Sequence, residues 1–119
     1  MFDHIGVRVK DLRKSARLYE AMLAPLGHVA GSKGEGYAGF GPKGKPALWL
    51  HADAAGGGGH VALRAPDRAA VDLFYKRGLE AGAKDNGLPG IRTDYSPTYY
   101  AAFLIDLDGN NVEAVCTTK

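Results

Sequence analysis

Two short stretches of this chain alternate between apolar and polar residues, and each one leads into a pattern typical of a helix. Side chains two residues apart in a strand lie on the same face of a sheet. One face of the first predicted strand carries His4, Gly6 and Arg8. The corresponding face of the second predicted strand carries His60, Ala62 and Arg64. Both opposite faces are aliphatic, so we expect a helix to cover them and the faces with histidine to stay open.

A helix is predicted directly after each of these strands. Asp11 and Asp67 stand where a carboxylate would accept hydrogen bonds from the free N–H groups of a first helical turn. The apolar stripe of the first helix consists of Leu12, Ala16, Tyr19 and Leu23. The stripe of the second helix consists of Val71, Phe74, Tyr75 and Leu79. We interpret both tyrosines as core residues, because they belong to these stripes.

Extended segments separated by glycine follow each helix, as expected for antiparallel strands with tight turns. They are residues 28–33, 37–41 and 47–52 in the first half and residues 83–86, 99–105 and 111–116 in the second. Asp108-Gly109-Asn110 is a strong turn signal before the last strand. Each half is therefore predicted to contain its elements in the order β-α-β-β-β. The segment Gly87–Thr98 is predicted to be a long irregular loop near a ligand.

The two halves are related by duplication. With residue 4 placed over residue 60, five of the twenty positions from His4 to Leu23 are identical. Because 119 residues suffice for one core only, we predict a single domain. It consists of a first module of about residues 1–53, a glycine-rich junction at 54–59 and a second module of about residues 60–119. No helix follows the junction glycines, so they indicate a flexible linker rather than a phosphate-binding loop.

Composition narrows the classes of partner. The chain has 15 basic and 13 acidic residues without a basic run, so we expect no nucleic-acid partner. No apolar stretch approaches the roughly 20 residues of a membrane span. The first residues do not resemble a signal sequence, which favours a soluble cytoplasmic protein without a membrane partner. Cys116 is the only cysteine, and we interpret it as a small buried hydrophobic residue.

Glu113 lies in a predicted strand among apolar residues, where a carboxylate is costly to bury unless it is paired or binds a metal. The matching strand of the first half carries Trp49 and His51 on one face, and only His51 could act as a ligand. Two imidazoles and one carboxylate suit Fe(II), Mn, Ni, Co or Zn. We predict one divalent metal ion held by His4, His60 and Glu113, with His51 as a candidate fourth ligand. The alternative is that these histidines are ordinary structural residues.

The same residues resemble motifs of the vicinal oxygen chelate superfamily, which includes glyoxalase I, fosfomycin-resistance enzymes, extradiol dioxygenases and bleomycin-resistance proteins. The matching motifs are Asp3-His4-Ile5-Gly6-Val7, Gly59-His60-Val61-Ala62-Leu63 and the run from Asp106 to Glu113. Asn86–Arg92 and Tyr99–Phe103 resemble a bacterial glyoxalase-like subgroup. The resemblance implies an α+β fold of two β-α-β-β-β modules related by a pseudo-twofold, with a mixed or antiparallel sheet curled around a central cleft and helices outside. It also implies that His4, His60 and Glu113 are the metal ligands.

The resemblance leaves two main kinds of activity open. One is a metal-dependent enzyme of the lyase, isomerase, transferase or dioxygenase type, whose metal ion chelates two neighbouring oxygens of a small substrate. Authentic glyoxalase I is disfavoured, because residues 47–51 lack its glutamate ligand and base. The other is a non-catalytic small-molecule binder of the bleomycin-resistance type, and a structural or interaction module is a third interpretation.

The resemblance also favours a homodimer, whose modules pair either within one chain or between two chains. The candidate cleft residues are Arg8, Trp49, Arg64, Arg92, Tyr95, Tyr99 and Tyr100. Arg92 is expected to be the main charged contact to a substrate, because it lies on the predicted long loop.

Overall fold

The computed structural model describes residues 1–119 and consists of two β-α-β-β-β halves, as predicted. The first half contains β1 (Ile5–Val9), α1 (Leu12–Leu23), β2 (Val29–Gly34), β3 (Tyr37–Gly41) and β4 (Leu48–Ala52). The second half contains β5 (His60–Arg64), α2 (Arg68–Glu80), β6 (Lys84–Ile91), β7 (Tyr100–Ile105) and β8 (Asn111–Cys116). Neither helix is long and apolar enough to cross a membrane.

Each half forms its own four-stranded mixed sheet. The strand orders are β1-β4-β3-β2 and β5-β8-β7-β6. β1 runs parallel to β4, and β5 runs parallel to β8, whereas the remaining pairs are antiparallel. The first strand of each half is therefore an edge strand next to the last strand of the same half. In the second sheet this register places His60 opposite Asn111 and Ala62 opposite Glu113.

The two predicted helix starts are confirmed. The carboxylate of Asp11 accepts from the N–H of Lys14 at 3.1 Å, and that of Asp67 accepts from the N–H of Ala70 at 2.8 Å. The buried residues of α1 are Ser15, Leu18, Tyr19, Met22 and Leu23. The buried face is thus rotated slightly from the predicted stripe, because α1 packs against α2 as well as against its own sheet.

One hydrophobic core of 21 residues joins the two halves. The helices α1 and α2 pack against each other, and the inner face of each sheet packs against them. Completely buried side chains of this core include Tyr19, Phe40, Leu50, Phe74 and Leu104. On β1 and β5 the opposite face is exposed, so the prediction that the histidine-bearing faces stay open is confirmed. Cys116 is buried, as interpreted from the sequence.

The turn between β7 and β8 fastens the second half to the first. The carboxylate of Asp106 is only 4% exposed and accepts a hydrogen bond of 2.6 Å from the hydroxyl of Tyr19 on α1. The side-chain amide of Asn110 donates to the carbonyl oxygen of Arg8 at 3.1 Å. Both contacts connect this turn to elements of the first half, so the turn is a clamp between the modules.

The glycine-rich junction is packed against this turn, so the prediction of a flexible linker is wrong. Gly56 is buried with φ of +63°. A Cβ atom on Gly57 would lie 1.7 Å from the carbonyl oxygen of Asp108. The N–H of Gly59 donates to the side-chain oxygen of Asn110 at 2.8 Å. Gly57 in particular is needed, because the junction passes too close to the turn at this position to carry a side chain.

Strand β6 is longer than predicted and extends to Ile91. Its pairing with β7 shifts register on both sides of Gly87, which has φ of +156°. These bulges absorb extra residues, so a segment rich in glycine and proline can still pair as a strand. The irregular loop is consequently limited to residues 92–99.

Candidate functional site

Glu113 is the most deeply buried carboxylate of the chain, with 3% of the residue exposed. It lies in the middle of β8, and its neighbours Val112 and Ala114 point into the core. Strand alternation therefore directs Glu113 toward the opposite face of the sheet. Its Oε1 atom is 3.2 Å from Nε2 of His60, and its Oε2 atom accepts a hydrogen bond from the hydroxyl of Tyr99. The contact between His60 and Glu113 brings two of the three predicted ligands together.

His60 begins β5 and stands between two polar side chains. Its side chain is 53% exposed, so one side of the ring is open to solvent. Its Nε2 atom faces Glu113, and its Nδ1 atom is 2.9 Å from Nδ2 of Asn111. The parallel pairing of β5 with β8 causes this arrangement, since it sets His60 opposite Asn111 and two positions away from the level of Glu113, on the same face of the sheet.

Tyr99 holds the second oxygen of Glu113. Burial, the hydrogen bond to Glu113 and the negative charge of that carboxylate together raise the pKa of Tyr99 to about 12. The phenol is therefore a hydrogen-bond donor at neutral pH. Tyr95 packs edge-on against its ring, with the ring centroids 4.9 Å apart. The sequence placed both tyrosines in the cleft, but the contact with Glu113 depends on Phe103 pairing with Glu113, a register that the sequence does not reveal.

His4, the third predicted ligand, lies apart from this pair. Its side chain is 62% exposed, and its Nδ1 atom is 2.7 Å from Oδ1 of Asp3. It borders an open depression that is also lined by Asp3, Tyr37, Pro46, Trp49 and His51. No group of three or more His, Cys, Asp or Glu side chains in the chain could hold a metal ion. A single chain therefore presents His60 with Glu113 in one place and His4 with His51 in another.

Glycines shape the depression beside His4. A Cβ atom on Gly39 would lie 2.6 Å from the ring of Trp49, and one on Gly6 would lie 3.2 Å from the ring of His51. Both rings can lie against the sheet only because these positions have no side chain. The ring of Tyr37 is 6.0 Å from that of Trp49, measured between centroids. The open face of the first sheet is thus an aromatic and imidazole surface.

The arginines predicted for the cleft have different surroundings. Arg8 and Arg64 lie on the exposed faces of the edge strands, and the guanidinium of Arg8 is 4.0 Å from the carboxylate of Asp53. Arg92 instead donates to the carbonyl oxygens of Leu88 at 2.6 Å and Gly90 at 2.9 Å. Its guanidinium also lies 5.3 Å from the ring centroid of Phe103. Arg92 is therefore held against the backbone of β6 by two of its N–H groups, and its role as a contact to a substrate stays a prediction.

Tyr100 does not line the open face, so its placement in the cleft is wrong. Its hydroxyl donates to Asp72 on α2 at 2.6 Å, and the guanidinium of Arg68 lies 5.1 Å from its ring centroid. Tyr100 follows Tyr99 directly, and successive side chains of an extended segment point to opposite faces. Only one member of the Tyr99-Tyr100 pair can therefore reach Glu113.

Comparison with solved structures identifies similar folds over nearly the whole chain. A glyoxalase/bleomycin resistance protein from Albidiferax ferrireducens T118 has a TM-score of 0.84 and 26% identity, with 99% of each chain covered. A glyoxalase/bleomycin resistance protein/dioxygenase family enzyme from Burkholderia phytofirmans PsJN has a TM-score of 0.75 and 14% identity, with 98% of each chain covered. A glyoxylase/bleomycin resistance protein/dioxygenase domain from Frankia sp. EAN1pec has a TM-score of 0.70 and 20% identity, with 97% of this chain and 95% of that chain covered. Neither a family model nor a curated protein sequence matches.

Proposed function

Because this chain belongs to the vicinal oxygen chelate superfamily, together with the glyoxalase, bleomycin-resistance and dioxygenase proteins that share its fold, we propose that it is a divalent-metal-dependent enzyme. Its substrate is a small molecule with two neighbouring oxygen atoms. The observation that carries this proposal is the contact between the buried carboxylate of Glu113 and the partly exposed imidazole of His60. A carboxylate at this depth is costly unless a cation or several donors compensate it.

The donor atoms of this pair fit a first-row metal ion. Nε2 of His60 and Oε1 of Glu113 are 3.2 Å apart, so both can contact one ion after a small adjustment. One imidazole nitrogen and one carboxylate oxygen form a borderline donor set that suits Zn, Fe(II), Mn, Co or Ni. The open side of His60 leaves room for further ligands and for a substrate.

The missing ligand is His4 of a second copy of this chain. His4 and His60 occupy equivalent positions of the duplicated modules, and both lie on exposed faces. A homodimer with twofold symmetry would bring the first sheet of one copy over the second sheet of the other, and it would do so twice. Each dimer then has two metal sites, each with His60 and Glu113 from one copy and His4 from the other.

The residues around this site have separate roles in the proposed reaction. A metal ion at this position supplies a Lewis acid for neighbouring substrate oxygens. Tyr99 orients Glu113 by donating to Oε2, which leaves Oε1 for the ion. In the dimer, Trp49 of the other copy shields the substrate from water. His51 is the only titratable side chain of β4 and lines the same depression as His4 and Trp49, so in the dimer it would lie close to the substrate.

Elemental analysis and metal titration test this proposal directly. The purified protein should contain or take up about one equivalent of divalent metal per chain, whereas His60→Ala should bind none. His28→Gln is a matched control, because His28 lies outside the site and should leave the metal content unchanged. Absence of metal from the wild type, combined with no uptake of Mn, Fe(II), Co, Ni or Zn, would contradict the proposal.

Mixed dimers test whether the ligands come from two copies. His4→Ala and His60→Ala homodimers should each bind no metal. A dimer with one chain of each kind, isolated with two different affinity tags, retains one complete site and should bind one ion. If the mixed dimer is also metal-free, or if light scattering shows a monomer, the ligands do not combine across two copies.

A second candidate function is metal-free binding of an aromatic or cationic small molecule. It is favoured by the fact that both oxygens of Glu113 already have partners, His60 and Tyr99, within one chain. The surface around Trp49 and Tyr37 would then hold the ligand. Because Trp49 is the only tryptophan, its fluorescence reports binding at this surface. Quenching by bleomycin in a protein that takes up no metal would favour this function over the enzyme.

A further inference from the structure

Asn111 contacts the nitrogen of His60 that does not face Glu113. It begins β8 and lies directly opposite His60 in the parallel pair of β5 and β8. Its Nδ2 atom is 2.9 Å from Nδ1 of His60. Its Oδ1 atom is buried and has no hydrogen-bond partner. The metal site proposed above leaves this amide without a role.

The partner of Nδ1 decides what Nε2 can do, because a neutral imidazole carries one proton on one of its two nitrogens. While Asn111 donates from Nδ2 to Nδ1, the proton of His60 is on Nε2 and is donated to Glu113. Nε2 then has no lone pair for a metal ion. Rotation of the amide by about 180° places Oδ1 against Nδ1, which must carry the proton, and frees Nε2.

We propose that Asn111 is a positioning residue that selects the tautomer of His60: it donates to Nδ1 in the metal-free protein and accepts from Nδ1 when Nε2 binds a metal ion. This inference rests on the metal site proposed above. The proton count of His60 is the same in both states, since Nε2 releases one proton to solvent and Nδ1 takes one up. The amide makes one hydrogen bond to the ring in either orientation and leaves one buried polar atom unpaired in either, so its rotation costs little.

Two substitutions separate the two orientations. Asn111→Asp provides a side chain of similar shape that only accepts, so it should hold the proton on Nδ1 even without metal. Asn111→Leu provides neither a donor nor an acceptor, so the proton should stay on Nε2 next to Glu113. In this variant, metal binding would leave the N–H of Nδ1 without a partner. The affinity for Zn²⁺ should then fall by about 10- to 100-fold, the usual effect of losing a residue that orients a ligand histidine.

Nitrogen NMR of protein labelled with ¹⁵N in histidine reads the tautomer directly. Spectra at about pH 8, where an unperturbed imidazole is neutral, should show Nε2–H in the metal-free wild type and Nδ1–H after addition of Zn²⁺. Metal-free Asn111→Asp should already show Nδ1–H. Competition with a chromogenic chelator measures the affinity for Zn²⁺, and thermal melting of the metal-free variants verifies that they fold.

Each result has a distinct meaning. The inference is overturned if metal-free Asn111→Asp keeps the Nε2–H tautomer, or if Asn111→Leu binds Zn²⁺ as tightly as the wild type. If the wild type binds no Zn²⁺, the metal site itself is contradicted. In that case the tautomer difference between the metal-free wild type and Asn111→Asp still supports the selection of the tautomer by Asn111.

Discussion

Removing the hydroxyl group of Tyr19 tests the clamp between the two modules. Tyr19 is completely buried and donates a hydrogen bond of 2.6 Å to Asp106, which is 4% exposed. Burial and the nearby carboxylate of Asp106 raise the pKa of Tyr19, so its hydroxyl is a donor throughout the accessible pH range. Tyr19→Phe keeps the ring and its packing against Phe40, so only this contact is lost.

The expected loss of stability follows from the surroundings of Asp106. A hydrogen bond to a charged group contributes about 1.5–3 kcal/mol. Asp106 keeps three other donors, the N–H groups of Asp108 and Asn110 and the side-chain amide of Asn110. Its carboxylate is therefore not left unpaired, and we expect a loss of about 1.5–2 kcal/mol. With an unfolding entropy of about 2.1 cal/mol/K per residue, this corresponds to a decrease in Tm of about 6–8 °C.

Urea denaturation and thermal melting followed by circular dichroism measure this loss. Tyr75→Phe is the matched control, because Tyr75 occupies the equivalent position of the second module and donates to Asp85 at the surface. The control should shift Tm much less, since solvent water replaces the lost contact. If Tyr19→Phe and Tyr75→Phe melt at the same temperature, the contact with Asp106 does not stabilise the fold and the clamp is incorrectly assigned.

Three further predictions concern other parts of the fold. Gly57→Ala should destabilise the protein by about 1–3 kcal/mol in urea denaturation, because the added methyl group meets the carbonyl oxygen of Asp108. An unchanged urea concentration at the midpoint of unfolding would mean that the junction is free to move. Arg92→Ala should lower stability by about 1–2 kcal/mol without changing metal content, because it deletes hydrogen bonds to carbonyl oxygens of β6. If stability is unchanged and ligand binding is weaker, Arg92 contacts the ligand in the cleft instead. Burial lowers the pKa of His28, so this histidine takes up a proton at a higher pH in the unfolded chain than in the folded one, and the free energy of unfolding should fall as pH decreases below about 6.5. His28→Gln should make the free energy of unfolding depend less on pH. If the variant and the wild type have identical pH profiles, the burial of His28 does not affect stability.

The sequence predicts the elements well because they depend on local chemistry. Alternation identified β1 and β5, and the carboxylates of Asp11 and Asp67 marked the starts of both helices. The duplication then predicted that both halves have the same order of elements. Boundaries failed at β6, where bulges around Gly87 interrupt the alternation on which the prediction depends.

The candidate site was only partly predictable, because its residues meet through packing between distant segments. The apolar neighbours of Glu113 indicated that this carboxylate is special, and the duplication pointed to His60. Whether Tyr99 or Tyr100 reaches Glu113 depends on the register of β7 against β8, which sequence alone does not give. The separation of His4 from His60 follows from how the modules pack on their helices, which a pattern within one module cannot reveal.

The strand order also affects when the candidate site can form during synthesis. β5 is an edge strand whose only neighbour is β8, and the paired residues His60 and Asn111 are 51 positions apart. A ribosome releases β5 long before β8, so β5 waits without a pairing partner while the intervening helix and strands emerge. Pairings between residues far apart in sequence tend to close late in folding. His60 therefore meets Glu113 only when the last strand docks, so the contact between these two side chains is among the last features of the fold to form.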